Sequence, residues 1–289
     1  MADPIPFCPG PDPEPTRPKF DVPEGAIDTH AHVFGPESRY PYSPARGYTP
    51  PDAPLADYNR LHEILGIEKG VLTQPSVYGI DNRAILDAVA QSGDRLLAVA
   101  ALGEAVTDRE LEDLNERRGR GVRVNLVDPG GMPFDGIGAV RKFTERIRDF
   151  GWHLEVLIHA HDFPDLRETM NAMAVDVVVG QTDHGIDHPG FRDFLDLVRD
   201  GHCWVKFSGS YRITVQDALP YSDVTPFARA LVAANPDRIV WGSDWPHPTF
   251  YGTMPNDGGL FDQLADWVPD AALRHRILVD NPRALYGAF

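Results

Sequence analysis

Eight short apolar segments, separated by stretches with helical patterning, predict that this chain of 289 residues is an α/β protein folded as a TIM-like (β/α)8 barrel. Strands that alternate with helices are typical of parallel sheets, and eight such units close a barrel. The length also fits, since such a barrel needs about 250 residues. The alternative is an open dinucleotide-binding sheet, which would need Gly-x-Gly-x-x-Gly after the first strand; the sequence has His30-Ala-His32 there.

The predicted strands are rich in β-branched residues and cover 26–30, 70–75, 96–102, 121–125, 153–159, 176–184, 203–209 and 238–244. Several of the helical stretches between them begin at Asp or Asn and end at Gly, as capped helices do. These stretches cover 57–66, 82–93, 108–118, 134–151, 165–174, 191–201 and 224–236. The last segment, 277–289, is predicted to be a closing helix that packs on the barrel.

Two parts of the chain differ in character from these repeating units. Residues 1–24 are rich in proline and predict an extended arm that lies on the body, while residues 25–289 form a single catalytic barrel. Three long segments rich in Pro, Tyr and Gly follow the first, seventh and eighth strands, at 35–54, 210–223 and 245–259. Long loops on one rim of a barrel usually form the substrate pocket.

The composition limits the partners that we expect. With 27 Lys and Arg against 43 Asp and Glu, the net charge is −16, which opposes binding to nucleic acid or to an anionic membrane. No apolar run approaches the roughly 18 residues that span a bilayer, and the first residues do not resemble a signal peptide. Only two cysteines occur, Cys8 and Cys203, which fits a reducing compartment. We therefore expect a cytoplasmic protein, a monomer or homodimer, whose partner is a small molecule.

Imidazole and carboxylate groups stand at the ends of four predicted strands. His30 and His32 end the first strand and share one side of it, because alternate residues point the same way. His159 ends the fifth strand, His184 the sixth and Asp244 the eighth. Barrel enzymes place their catalytic residues at this rim. A carboxylate there can bind a metal or deprotonate water, and the histidines can bind a metal or stabilise an oxyanion.

Together these positions resemble the amidohydrolase superfamily. The segments IDTHAHVFGP, RGVRVNL, WVKFSGSYR, RIVWGSDWPHP and DNPRALYGAF resemble, more closely, its branch of 2-pyrone-4,6-dicarboxylate lactonases and related lactone hydrolases, from about residue 24 onward. The resemblance implies an amidohydrolase-type barrel that opens the ester bond of a small anionic lactone. It implies that Asp244 activates water, that His184 and the pair His30 and His32 polarise the carbonyl, and that basic side chains hold the anionic group.

The sequence is compatible with a metal-free site and with a site that holds one metal ion. The predicted fourth strand ends Arg123-Val-Asn125, without the lysine or glutamate that bridges two metals in binuclear relatives. Dicarboxylate lactonases work without metal and lack a histidine on strand five. Here His159 is present, so that one Zn²⁺ bound by His30, His32, His159 and Asp244 would fit the ligand preferences of zinc. No organic cofactor is expected.

Further candidates for substrate binding lie on the same rim. Arg123 would hold a carboxylate through two hydrogen bonds. The other candidates are Tyr48, Gln74, Ser76, Lys206, Tyr211, Arg212 and His247. The segment after His184 lacks the arginine of the pyrone-dicarboxylate pattern, so a muconolactone-like, sulfonated or sugar lactone fits better than a substrate with two carboxylates.

Two other reactions remain as alternatives within the same superfamily. One is a metal-dependent non-oxidative decarboxylation, and the other is isomerisation of a lactone. A serine hydrolase mechanism is disfavoured because the sequence has no Gly-x-Ser-x-Gly elbow.

Overall fold

Eight parallel strands pair in chain order in the computed structural model, which describes residues 5–127, 132–158, 165–180 and 186–289. The strands are β1 Ile27–Ala31, β2 Lys69–Thr73, β3 Leu96–Ala100, β4 Gly119–Asn125, β5 His153–Leu157, β6 Val177–Gly180, β7 Cys203–Phe207 and β8 Ile239–Trp241. Beyond β8 the chain pairs with β1, where the Asp244 N–H donates to the His30 carbonyl and the His32 N–H donates to the Trp245 carbonyl, each at 2.8 Å. These bonds join the first and last strands, so the predicted (β/α)8 barrel is confirmed.

Helices lie between the strands at the predicted places. They are α1 Leu55–Leu65, α2 Arg83–Gln91, α3 Asp108–Glu116, α4 Gly136–Ile147, α5 Leu166–Asn171, α6 Pro189–Asp200 and α7 Thr225–Ala234. A further helix, α8 Asp257–Trp267, was not predicted, because its first residues Asp-Gly-Gly resemble the end of the loop at 245–259. The predicted closing helix consists of a π-helical turn, Arg276–Asp280, and α10 Asn281–Tyr286, which follow the short α9 Ala271–His275.

Several predicted strands end earlier in the structure. Strand β2 ends at Thr73, two residues before Pro75, and β8 ends at Trp241, three residues before Asp244. Proline has no N–H to donate to a ladder, and Asp244 has φ of 59°, which does not fit a strand. The residues that follow the ladders therefore turn into the rim, where the polar side chains lie.

The inside of the barrel is filled at its lower end by apolar side chains. A buried cluster of strand residues packs there against Leu285 and Tyr286 of α10, and it contains Val71, Leu97, Val99, Val178, Trp204 and Val240. A larger apolar cluster lies between the strands and the helices. Because α10 closes the lower end, access to the interior is left to the opposite rim, where the carboxyl ends of the strands meet.

The N-terminal arm contacts two parts of the body. The Cys8 N–H donates to the Thr49 carbonyl at 2.9 Å, which fixes the arm beside the loop after β1. Thr16 bonds to Asn256, and its carbonyl lies so close to Gly258 that a Cβ there would be 2.1 Å from it. The arm therefore contacts the start of α8. Among the described residues no helix is both long and apolar enough to cross a membrane.

Candidate active site

Three of the predicted residues meet at the rim of the barrel. The Nε2 atoms of His30 and His32 lie 3.4 and 3.5 Å from Oδ1 of Asp244. All three side chains are buried. They meet because the segment after β8 runs beside β1, and Gly242 permits this approach: a Cβ there would lie 2.5 Å from the Cβ of His30. The sequence pattern therefore identified one compact group of side chains.

The protonation of His32 is fixed by its second nitrogen. Nδ1 lies 2.7 Å from the carbonyl oxygen of Thr73, which can only accept, so Nδ1 carries a proton. Burial lowers the pKa of His32 to about 4, so that the ring is neutral near pH 7. Nε2 then turns a lone pair toward the Asp244 carboxylate at 3.5 Å. A proton or a metal ion between these two atoms would relieve their repulsion.

The two oxygens of Asp244 have different surroundings. Oδ2 accepts hydrogen bonds from the Tyr211 hydroxyl at 2.5 Å and from Nε and Nη2 of Arg212 at 3.0 and 2.9 Å. Burial alone would raise the pKa of Asp244, but the Arg212 guanidinium and the hydrogen bond from His30 outweigh it and hold the pKa well below its usual range. The carboxylate is therefore ionised, and Oδ1 is the oxygen that faces the histidines.

The backbone of the loop after β8 is strained. Asp244, His247 and Thr249 have φ of 59°, 61° and 61°, in the left-handed region that residues other than glycine rarely adopt. Each such residue costs about 1–3 kcal/mol and persists only where its surroundings fix it. Strain of this kind is concentrated at functional sites, and here it aims the Asp244 side chain into the barrel mouth.

Asp28 joins β1 to the loop after β8 and has no contact with the cavity. Its Oδ1 accepts from the backbone N–H groups of Ser243 and His30, at 2.9 and 3.0 Å. Its Oδ2 accepts from the Ser243 and Tyr58 hydroxyls, at 2.6 and 3.1 Å. Burial would raise its pKa, but the His62 ring and these hydrogen bonds lower it overall. Asp28 thus holds His30 in place from behind.

A buried ion pair under the histidines was missed by the sequence analysis. Lys206 Nζ lies 2.6 Å from Oε2 of Glu155, and it also lies 3.2 Å from Nδ1 of His30. Oε1 of Glu155 is 3.2 Å from the same His30 nitrogen. Burial would raise the pKa of Glu155, but the Lys206 ammonium holds it well below its usual range. The available signal was a single acid between the apolar residues of the strand His-Leu-Glu-Val-Leu.

A cavity of about 170 Å³ opens above this group. The residues that line it include His30, His32, Tyr48, Ser76, Arg123, Glu155, Lys206, Ser208, Arg212, Asp244, Pro248 and Thr249. Arg123 is buried, and its Nη1 donates to the Gln74 carbonyl at 2.9 Å, while its Nε has no hydrogen-bond partner. Within the described ranges Arg123 has no acidic partner, whereas Lys206 is paired with Glu155 and Arg212 with Asp244.

Three of the predicted substrate contacts, Gln74, Tyr211 and His247, form hydrogen bonds to other protein groups. The Gln74 amide donates to the carbonyls of Gly79 and Asp81, at 3.1 and 2.9 Å. The Tyr211 hydroxyl donates to Asp244, and the buried His247 ring contacts Tyr211. The other predicted contacts, Tyr48, Ser76, Arg123, Lys206 and Arg212, line the cavity. His159 and His184, the remaining predicted catalytic or metal-binding residues, lie outside the described residues.

The donor set at the rim fits a metal ion. One ligand atom each from His30, His32 and Asp244 lies within 4.8 Å of the others. The nitrogen–oxygen separations of 3.4 and 3.5 Å are close to the ~3.3 Å between ligands of a tetrahedral zinc with bonds of about 2.0–2.1 Å. The carbonyl bonded to Nδ1 of His32 also fixes the tautomer that a metal would need. This group could therefore bind a metal.

The chain is similar to known lactone hydrolases over nearly its whole length. It is 42% identical to a 4-sulfomuconolactone hydrolase of Rhizobium radiobacter, over 98% of this chain and 97% of that protein. It is 38% identical to a 2-pyrone-4,6-dicarboxylate hydrolase of Comamonas testosteroni, over 94% of this chain and 93% of that protein.

A solved structure and a family model agree with these relatives. A probable 2-pyrone-4,6-dicarboxylic acid hydrolase from Acinetobacter baumannii, solved with citric acid bound, superposes with a TM-score of 0.79 at 28% identity. The superposition covers 91% of this chain and 99% of the other. The amidohydrolase family model matches residues 27–288. The family resemblance read from the sequence is thereby confirmed, and the chain belongs to the amidohydrolase family.

Proposed function

We propose that the protein is a hydrolase that opens the ester ring of a small anionic lactone. The observation that carries this proposal is the arrangement of Asp244, an ionised buried carboxylate whose Oδ1 faces two imidazoles at the mouth of a cavity. The relatives named for lactone hydrolysis support the substrate class.

Asp244 is the general base of the proposed reaction. Oδ1 takes a proton from a water molecule as the water oxygen bonds to the lactone carbonyl carbon. The ring carbon–oxygen bond then breaks, and the proton passes from Asp244 to the leaving oxygen, so that one water is consumed and a hydroxy acid forms. Because the pKa of Asp244 is held low, it is a weak base, and the carbonyl must be polarised for water to attack.

His30 can polarise the carbonyl directly. The Lys206 ammonium, 3.2 Å away, can donate to Nδ1 of His30, which leaves Nε2–H as a donor at the cavity. His32 cannot donate in its neutral form, because its single proton bonds to the Thr73 carbonyl. His32 can help to polarise the carbonyl only in a form in which its Nε2 carries a proton or binds a metal. His184 is the third histidine that we propose to polarise the carbonyl.

A zinc ion is compatible with this group, and the geometry of His32 favours it. It would be held by His30, His32 and Asp244, with His159 as a fourth candidate ligand. When bound, zinc would supply Lewis-acid polarisation and a water whose pKa is near 7. Metal analysis of the purified protein is the test: we expect about one zinc per chain, and His32→Gln should lower that number. A fully active protein without metal would establish the metal-free form.

Arg123 is the proposed site for the anionic group of the substrate. It is the buried guanidinium of the described cavity wall that has no carboxylate partner, and a carboxylate or sulfonate would supply one. Since the other two cations of the described wall are paired, a lactone with one such group fits best.

We also propose that the protein acts in the cytoplasm and in the breakdown of aromatic compounds.

The experiment is a lactone panel with three readouts. It contains muconolactone, 4-sulfomuconolactone, 2-pyrone-4,6-dicarboxylate, a sugar lactone and a neutral butyrolactone, each with and without chelator and added zinc. Hydrolysis releases acid and incorporates one oxygen from ¹⁸O-labelled water. Isomerisation does neither, and decarboxylation releases CO₂. The proposal predicts acid release and ¹⁸O uptake with an anionic lactone, and it would be refuted by a protein that gives only CO₂ or an isomer.

A further inference from the structure

A chain of three buried side chains stands behind Asp244, on the side away from the cavity. The Tyr211 hydroxyl is 2.5 Å from Oδ2 of Asp244, and Nδ1 of His247 is 3.2 Å from the Tyr211 oxygen. Nε2 of His247 is in turn 3.1 Å from Oδ1 of Asp257. All of these residues are buried, with His247 at 0% and Asp257 at 2% exposure. Hydrogen bonds therefore run from α8 to the proposed base.

The direction of these bonds follows from the number of protons. The ordinary pKa of a tyrosine hydroxyl is about 10, so near neutral pH Tyr211 keeps its one proton. That proton is donated to the ionised Asp244, which can only accept. The Tyr211 oxygen must then accept from His247, so Nδ1 of His247 carries a proton. This conclusion is the same whether the proton between Nε2 and Asp257 lies on the nitrogen or on the oxygen.

The three hydrogen-bonded side chains, Tyr211, His247 and Asp257, are held by rigid elements. Asp257 is the first residue of α8, which is 11 residues long, and Asn256 caps that helix through the Gly258 N–H. The His247 N–H donates to the Asp244 carbonyl at 2.7 Å. The Tyr211 ring packs edge-to-face on Phe250, with centroids 4.7 Å apart. None of these atoms can move without disturbing packed structure.

We propose that His247 and Asp257 are positioning residues for the base, acting through Tyr211. This inference rests on the proposed function, in which Asp244 activates water. Because His247 donates to the Tyr211 oxygen, the Tyr211 hydroxyl donates its own proton to Oδ2 of Asp244. This bond opposes rotation of the carboxylate and keeps Oδ1 facing the proposed water molecule. Arg212, another partner of Oδ2, bonds to the Pro248 carbonyl and the Thr249 hydroxyl at 2.7 and 3.1 Å and lines the cavity, whereas the bonds through Tyr211 lie behind the carboxylate.

A double-mutant cycle tests whether the two residues act through Tyr211. His247→Gln and Tyr211→Phe should each lower kcat about 10- to 100-fold, with KM for the active lactone changed by less than about 2-fold. The double variant should be no slower than Tyr211→Phe alone, because both changes remove one interaction. Asp257→Asn is a milder second variant that should reproduce the kcat effect. A matched control is His275→Gln, whose histidine pairs with Asp280 at 3.3 Å on the surface and should keep full activity.

Two results would overturn the inference while leaving lactone hydrolysis intact. One is wild-type kcat in His247→Gln, and the other is a double variant in which the two losses multiply. A wild type that opens no lactone would refute the proposed function instead. The hydrogen-bond chain can then still be read by ¹⁵N NMR of His247, which should show a proton on Nδ1 that is altered in Tyr211→Phe; an unprotonated Nδ1 would refute the chain itself.

Discussion

Asp244, the proposed general base, has one oxygen that is anchored and one that faces the mouth of the barrel. Its Oδ2 is occupied by Tyr211 and Arg212, while among the described residues Oδ1 faces the imidazoles of His30 and His32. The low pKa keeps the group ionised in acid, so its own protonation does not limit activity until well below the usual range of a carboxyl group. The proposed reaction at Asp244 therefore depends more on the direction of its Oδ1 than on its basicity.

Replacement of the base gives the first prediction. Asp244→Asn should lower kcat at least about 100-fold, because it removes the proton acceptor while keeping the size of the side chain. Activity is measured on the lactone found in the panel, and near-ultraviolet circular dichroism checks the fold. Asp149→Asn, at a side chain 90% exposed, is the matched control and should be fully active. An active Asp244→Asn protein would contradict the assignment.

Arg123 gives a prediction about substrate charge. Arg123→Met should raise KM for an anionic lactone by about 30-fold or more, because a buried charge pair is lost, and should affect a neutral lactone little. Arg120→Met, on the same strand but bonded to backbone carbonyls, serves as the control. Equal changes in KM for the two lactones would remove the proposed role of Arg123.

The pair of Glu155 and Lys206 gives a prediction about stability. Lys206→Met leaves the buried Glu155 without its counter-charge, and we expect a loss of about 3–5 kcal/mol in the free energy of unfolding. The double variant Glu155→Gln with Lys206→Met should lose less than Lys206→Met alone, since no buried charge is left unpaired. Urea denaturation measures both, and a double variant less stable than either single one would argue against this account.

At the scale of the elements, the join between β1 and β8 decides the geometry of the site. Gly242 lets the two segments approach until the backbone of one touches the side chain of the other, and Asp28 fixes them with bonds to Ser243. The strained residues of the next loop then direct Asp244 inward. Helix α8 supplies Asp257 from outside the barrel. The site is therefore assembled by closure of the sheet.

Gly242→Ala tests this join. The new Cβ would lie 2.5 Å from the Cβ of His30, so either strand must shift, and we expect a loss of about 1–3 kcal/mol and most of the activity. Gly138→Ala in α4 is the matched control, because nothing lies within 4 Å of the added atom. Alanine is a better helix former than glycine, so this control should be neutral or more stable by up to about 1 kcal/mol. Thermal unfolding compares the two, and equal behaviour would show that the approach is not tight.

At the scale of the whole molecule, buried histidines and acids make the fold sensitive to acid. His153 lies inside the lower part of the barrel against Tyr286, and burial lowers its pKa to about 3. Its ring is neutral in the folded state, while the unfolded chain takes up a proton near pH 6.5. The unfolded state then binds more protons, so the free energy of unfolding falls as pH drops from about 6.5 to about 3. Asp28, Glu155 and Asp244, with lowered pKa values, act in the same direction below pH 4.

His153→Leu should remove part of this acid sensitivity. The histidine contributes a loss on the order of 4 kcal/mol between neutral pH and pH 3, and leucine has no charge to acquire. Stability is measured by urea denaturation at several pH values. His275→Gln, at an exposed position, should keep the wild-type slope. An unchanged slope in His153→Leu would show that this group does not set the acid limit.

Sequence patterns were sufficient to predict the barrel and the group of polar residues at its rim. Apolar segments that alternate with helical patterns are local signals, and parallel topology brings every strand end to one rim, so His30, His32 and Asp244 could be placed together without coordinates. The predicted helices between the strands follow from the same local rules. Helix α8 was missed because its glycine-rich start has weak helical propensity and is held by its neighbours.

The tertiary structure alone decided which rim side chains face the cavity and which face each other. Gln74, Tyr211 and His247 belong to rim segments, but their hydrogen bonds go to protein groups that the fold brings within reach. The contact of Glu155 with Lys206 and His30 joins three separate strands. Such partners are fixed by packing between distant parts of the chain, and periodicity within one segment carries no information about them.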